Sequence, residues 1–295
     1  MYKDVIELLK SIPGAAKAVT RLITETGNAG AALLSIGTAK AEQAAQAIRD
    51  DTAARSELSK ALTEAAVKFV AANSEALGER ALNFGIRRIL EGQSSREAIV
   101  GLALENLFLD PPKEPPKETP SDDWLNLFGS HAERASSHTM RQHWAQILSG
   151  EIRKPGSFSL VTLQVASVLD QTLASTIQRV CPYIVDGDYI PTVGKLNEGE
   201  LYGDLLALDG LGFLRLAAAD KFYIAGPQGE VQIKLGSKTL WAQGPPNKRF
   251  TIRCALLTAA GRELLSIISY EPSLEREALL VMALQAQGAI NFRVV

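Results

Sequence analysis

Trp144 to Ser159 reads W-A-Q-I-L-S-G-E-I-R-K-P-G-S-F-S. The first ten residues have helical periodicity, and Pro155-Gly156 breaks it. At about 100° per residue, Glu151 falls within about 20° of Trp144, inside the arc of Met140, Ile147, Leu148 and Ile152. A carboxylate among apolar neighbours is costly unless it accepts hydrogen bonds or carries a proton. The nearest donors in sequence are the backbone amides after Gly156, where the next helix opens, and the hydroxyls of Ser157 and Ser159. Glu151 therefore reads as an anchor tying two helices across the Pro-Gly turn. The rival reading, a carboxylate of perturbed pKa in a catalytic site, needs a second catalytic group, and no convincing one accompanies it in the sequence.

Working upstream from this stretch, Ser136-Ser137 opens its helix, and Ser121 caps an earlier one with Asp122 and Asp123 in the first turn and Trp124, Leu127 and Phe128 as its apolar stripe. The segment Asp110 to Ser121 holds five of the chain's 13 prolines and reads as an extended, polyproline-like spacer. Before it the chain is rich in alanine and leucine. Val5, Leu8, Leu9 and Ile12 predict a helix ending at Pro13-Gly14, and Val19, Leu22 and Ile23 predict another ending at Gly27-Asn28. Leu58, Leu62, Ala66 and Phe69 form a longer stripe. Leu82, Ile86, Ile89 and Leu90 form one more, closing near Gly92, and Ser94 to Glu97 has the form of a capping box that starts a further helix. Small residues from Ala29 to Ala47 suit a bundle core, a self-association surface or a membrane-active segment.

Downstream, Ser157 or Ser159 caps a helix carrying Leu160, Leu163, Val165, Val168, Leu169 and Leu173. From Asp186 the sequence becomes Gly- and Pro-punctuated. A helix-like stretch from Glu198 to Leu216 leads into strands with Val231, Ile233 and Leu235, then Phe250, Ile252 and Cys254. A helix over 256–268 follows, capped by Thr258. This order resembles a winged-helix module over roughly Tyr189 to Ile268. The fold class expected is mostly α, turning α+β at the C-terminal end. The expected segments are a helical region 1–109, a proline-rich linker 110–121, a helical domain 122–186 and a winged-helix-like module 187–295.

Composition narrows the function. Of 295 residues 46% are hydrophobic, enough for real cores, and 31 Lys plus Arg balance 33 Asp plus Glu, so no global field draws the chain to nucleic acid or an anionic membrane. The first residues are charged and lack the apolar core of a secretory signal, which points to the cytoplasm. The longest uncharged stretch, Thr26 to Thr38, is too short to span a bilayer, although it leaves contact with a membrane surface open. The two cysteines, Cys181 and Cys254, lack any zinc or disulfide spacing and read as buried small hydrophobes.

No G-x-S-x-G, G-x-x-x-x-G-K-[ST] or G-x-G-x-x-G is present, so hydrolase, P-loop and dinucleotide readings have no motif and no cofactor is indicated. His131, His138 and His143 cluster in sequence, but their spacing is not that of metal ligands on one helix, and no metal residues are assigned. Asp186-Gly187-Asp188 reads as a solvated loop rather than a cation site. In the winged-helix-like region the helix beginning at Asn197 carries Glu198, Glu200, Asp204 and Asp209 and no basic residue, a face that repels DNA. Lys234, Lys238, Lys248, Arg249 and Arg253 on the strands that follow are the candidate phosphate contacts.

The pattern D-D-W-L-x-x-F, then M-x-x-x-W-x-x-I-L-S-G-E-I-x-x-P-G-S-F-S-x-x-T-L, over Asp122 to Leu163, resembles the signature of a bacterial family of uncharacterised proteins, domain-of-unknown-function family 2806. The resemblance implies a bacterial or prophage-encoded protein, raises a role in stress or phage defence, and brings no catalytic residues. Trp124, Trp144, Glu151, Pro155, Gly156, Ser157 and Ser159 are the structural motif. The function expected is non-enzymatic: an interaction or regulatory protein that self-associates or binds a protein partner through its N-terminal helices. The alternatives are a defence effector perturbing membranes through its N-terminal helices, a metal-dependent hydrolase or nuclease near Glu151, and a nucleic-acid-binding regulator.

Overall fold

The computed structural model describes residues 11–24 and 76–295. The stripes at Val5 to Leu9, Ala29 to Ala47 and Leu58 to Phe69 lie outside the described residues. Two compact units are present, Met1–Phe158 and Ser159–Val295.

In the first unit the described elements are α1 (Pro13–Thr24), α2 (Ala76–Leu109), α3 (Asp122–Ala132) and α4 (His138–Arg153). Pro13 opens α1 instead of merely ending a preceding helix. Proline suits a first helical position, where its missing N–H would have no intrahelical partner. Ile12, Ala15, Val19 and Leu22 of the α1 segment are buried together with Ile99, Val100, Ala103 and Leu107 of α2.

The break expected at Gly92 does not occur: α2 runs through it and through the capping-box sequence as one helix of 34 residues. Tertiary contacts use those residues instead. The Gly92 backbone lies close to the Glu133 side chain, Ser95 donates its hydroxyl to the Ala135 carbonyl at 3.1 Å, and Arg96 pairs with Glu133 at 3.2 Å.

The proline-rich stretch forms no helix or strand. It lies within the first unit, bends at Lys113-Glu114 and Lys117-Glu118, and is held near both ends. Arg153 donates to the carbonyls of Asn106 and Asp110 at 2.7 and 2.9 Å, and Lys17 donates to that of Pro120 at 2.8 Å. The unit division falls after Phe158, not at the prolines or at 186.

The second unit begins with α5 (Leu160–Ser167) and α6 (Gln171–Val180), followed by a short 3-10 turn, Cys181–Tyr183. One helix was expected through Leu173. Two form because Asp170 accepts the Leu173 amide and so caps a new start. Next come β1 (Tyr189–Pro191), α7 (Gly199–Leu211), β2 (Leu214–Ile224), β3 (Glu230–Leu235), β4 (Lys238–Gln243), β5 (Arg249–Leu257), α8 (Ala259–Leu265), α9 (Leu274–Gln285) and β6 (Ile290–Val294).

The strands make two antiparallel three-stranded sheets, ordered β1-β5-β2 and β3-β4-β6. Leu214 to Leu216, read from sequence as the tail of a helix, belong to β2. Gly212 turns into the left-handed region at φ 86°, which ends α7 before them. Both sheets and α9 share an apolar core that includes Val231, Ile233, Leu240, Phe250, Ile252, Leu280 and Leu284.

Among the described residues no single helix is long and apolar enough to cross a membrane. The segments Leu160–Ser167 and Gln171–Tyr183 pass that test only as a pair, bent by 113°.

Candidate functional site

The Trp144–Ser159 stretch folds as the motif suggests. Ser137 caps α4 by accepting the Met140 amide, and Trp144, Ile147, Leu148, Glu151 and Ile152 all face inward. The Glu151 residue is 3% exposed. One of its carboxylate oxygens accepts the Gly156 amide at 2.7 Å and the other the Phe158 amide at 3.0 Å. Gly156 adopts φ 84°, a conformation that favours glycine and lets the chain double back over the end of α4.

The turn is held from a third direction by the Trp124 indole, which donates to the Phe158 carbonyl at 2.7 Å. The serine hydroxyls named as donors act elsewhere: Ser157 donates to the Lys154 carbonyl. Ser159 caps α5 by accepting the Thr162 amide. Pro155, the remaining motif residue, sits at the helix-breaking position just past α4. The Phe158 ring lies against Gly150, where an added Cβ would come within 2.7 Å of it, so the glycine of S-G-E is needed to seat that ring.

A second carboxylate, which the sequence does not single out, works in the second unit. Glu263 of α8 accepts the Ser159 amide at 2.6 Å and the Thr162 hydroxyl, supplementing the cap of α5 from another element. Glu263 lies 104 positions from Ser159, so no local spacing signals the contact.

Around the motif runs a ladder of rings. Trp124 stacks on Phe128 with centroids 5.0 Å apart, Phe128 meets Trp144 edge-on at 5.4 Å, and His131 stacks on Trp144 at 5.7 Å. Among the described residues the buried His131 Nε2 has no hydrogen-bond partner. Burial, with a smaller push from the Arg134 charge, holds this imidazole below its ordinary pKa. The folded state therefore takes up the proton less readily than the unfolded chain. The stability this contributes is full above about pH 6.5 and is lost as pH falls below that value toward the folded pKa. Denaturant melts at about pH 7.5 and about pH 5 should show a larger acid loss for the native chain than for His131→Phe, which keeps the stack but cannot titrate. Equal losses would remove His131 as the cause. His138 and His143 are exposed. Among the described residues no group of three or more His, Cys, Asp or Glu side chains is placed to hold a metal ion.

Other charged residues are engaged in ion pairs. Asp188 is bound by Lys221 and Arg262, and Asp204 takes a two-pronged bond from Arg179 at 2.7 and 2.9 Å. Burial pushes the Cys181 thiol up to about 12 and the Cys254 thiol up to about 11, so neither presents a thiolate near neutral pH.

The five candidate phosphate contacts do not form one set. Lys248 donates to the Gln287 carbonyl and lies over the Phe250 ring, while Arg249 stacks on Phe222 with its guanidinium carbon 3.4 Å from the ring centroid. Arg253 is exposed on β5 in the first sheet; Lys234 is exposed on β3 in the second, and Lys238 lies 3.9 Å from Glu277.

Residues 79–188 match the model of a family described as protein of unknown function, DUF2806. That match bears out the resemblance. It runs from α2 to Asp188, taking in the motif, α5 and α6, and brings no activity with it. No curated protein and no solved structure matches the chain.

Proposed function

We propose that this protein is a non-enzymatic interaction or regulatory protein of bacteria that binds a protein partner or a second copy of itself through a helix face. The observation that carries this reading is the outward side of α7. Gly199, Glu200, Gly203, Leu206, Ala207 and Gly210 are exposed there, and Leu206 stands 50% exposed. The sheet order β1-β5-β2, with α7 leading into β2, supports a winged-helix reading of this unit, with α7 in the position of a recognition helix. A face with one carboxylate, no cation and an apolar centre offers nothing to a phosphate and suits a protein surface.

The motif supports the same conclusion. Both oxygens of Glu151 accept backbone amides, which ties the carboxylate to the fold instead of to a metal or substrate. The contribution expected of the N-terminal helices, including membrane contact, falls largely outside the described residues. A role in stress or phage defence is proposed on the family resemblance alone.

Sedimentation of the purified full chain, alone and with a partner captured from the native host, tests the α7 face. Leu206→Glu should weaken association at least about tenfold while leaving the melting temperature unchanged. Unchanged association, together with tight binding of duplex DNA by the native chain, would overturn the reading.

A further inference from the structure

The sheet β3-β4-β6 buries one face and leaves the other open. Val231, Ile233, Leu235, Leu240 and Ala242 point into the core, so the alternate residues of β3 and β4 point away from it. Across the open face one line of cross-strand neighbours reads Gln232, Trp241, Arg293, and the next pairs Lys234 with Thr239. Gln232, Lys234, Gln243 and Arg293 are exposed, and Trp241 is half-buried. The Arg293 guanidinium sits 5.3 Å from the Trp241 ring centroid. Glu230, the one carboxylate on these two strands, is turned back against the Gly226 backbone, and one of its oxygens is buried. The open face thus combines one aromatic plane, two cations and the amide side chains of Gln232, Gln243 and Asn291, the last donating to Gln243 at 2.9 Å.

We propose that this face binds single-stranded nucleic acid. One base stacks on Trp241, Lys234 and Arg293 meet the flanking phosphates, and Gln232 and Gln243 reach base edges. A flat indole between cations on an open sheet provides the two elements that sequence-tolerant single-strand binding requires, a stacking plane and phosphate neutralisation. Arg293 exchanges the ring for a phosphate on binding, which frees the ring for the base. The charge complementarity selects an anionic ligand, and the aromatic plane selects one whose bases are unpaired. This surface is separate from α7, and its ligand is independent of any protein held there.

The chain has three tryptophans, and Trp124 and Trp144 are only 3% and 2% exposed, so quenching by a stacked base reports on Trp241. Titration with an oligothymidylate of about a dozen nucleotides at low salt should quench the fluorescence, with a log affinity against log salt slope of about −1.4 for two phosphates. Trp241→Ala should weaken binding, followed by oligonucleotide anisotropy, about tenfold or more, while Trp241→Phe should retain most of it. The double substitution Lys234→Gln, Arg293→Gln should flatten the salt slope. Absence of binding, equal binding of a blunt duplex, or a Trp241→Ala protein that melts like the native chain and binds equally well would each overturn the proposal. So would a Trp241→Ala effect confined to protein association.

Discussion

Glu151→Ala should lower the stability of the first unit by about 3 to 5 kcal/mol, among the largest effects of any single substitution in the motif. Two amides lose a charged acceptor at once. One belongs to Phe158, whose side chain is buried against Gly150, so the turn cannot open to water without unseating the ring. Hydrogen bonds to a charged group contribute about 1.5 to 3 kcal/mol each, and the two together set the estimate. In a unit of this size that corresponds to a fall in Tm of roughly 10 °C. Glu151→Gln keeps one carbonyl acceptor and turns an NH2 donor toward the other amide, so its loss should be intermediate. Calorimetry of the full chain measures both on the transition of the first unit. If both variants melt with the native protein, Glu151 is not the anchor described above.

Gly261→Ala should be comparably damaging in the second unit, with a sign opposite to helix propensity. Gly261 lies in the first turn of α8, where its amide donates to the Thr258 hydroxyl at 3.0 Å. The same hydroxyl donates to the Gly212 carbonyl at 2.6 Å, and the Thr258 amide donates to the Phe213 carbonyl at 3.1 Å. These bonds draw the start of α8 onto the turn between α7 and β2 so closely that an added Cβ at 261 would overlap the Phe213 carbonyl oxygen. Alanine in place of glycine would otherwise stabilise a helix by up to about 1 kcal/mol. Displacing backbone at a packed junction outweighs that gain, and a net loss of about 3 kcal/mol is expected. A variant as stable as the native chain would mean that the junction relaxes freely.

The helix starts were the most legible part of the fold. Ser121, Ser137, Ser159 and Thr258 all cap the helices that the sequence assigns to them, because capping is settled within four residues. The same local logic misplaced a boundary inside α2. Ser94 to Glu97 have the form of a capping box, but Ser95 and Arg96 within it satisfy Ala135 and Glu133, partners that only tertiary packing brings near. Glu151 could be singled out because a charge in an apolar stripe is visible on a helical wheel. Glu263 could not, because its partner Ser159 is distant in sequence and its own helix looks ordinary. The second sheet was only partly legible. Strand β3 alternates cleanly, whereas β6 was not read from sequence and depends on its pairing with β4.

The chain leaves the first sheet after β2, makes the β3-β4 hairpin, and returns as β5, the partner of β2. Strand β6 then pairs with β4, and Thr239 and Val295 exchange hydrogen bonds at 2.8 and 3.0 Å. Hairpin and final strand are therefore one hydrogen-bonded unit: loss of β6 would strip the pairing from the β4 edge, and loss of the hairpin would leave β6 without its partner, so across relatives the two should be gained, lost and resized together.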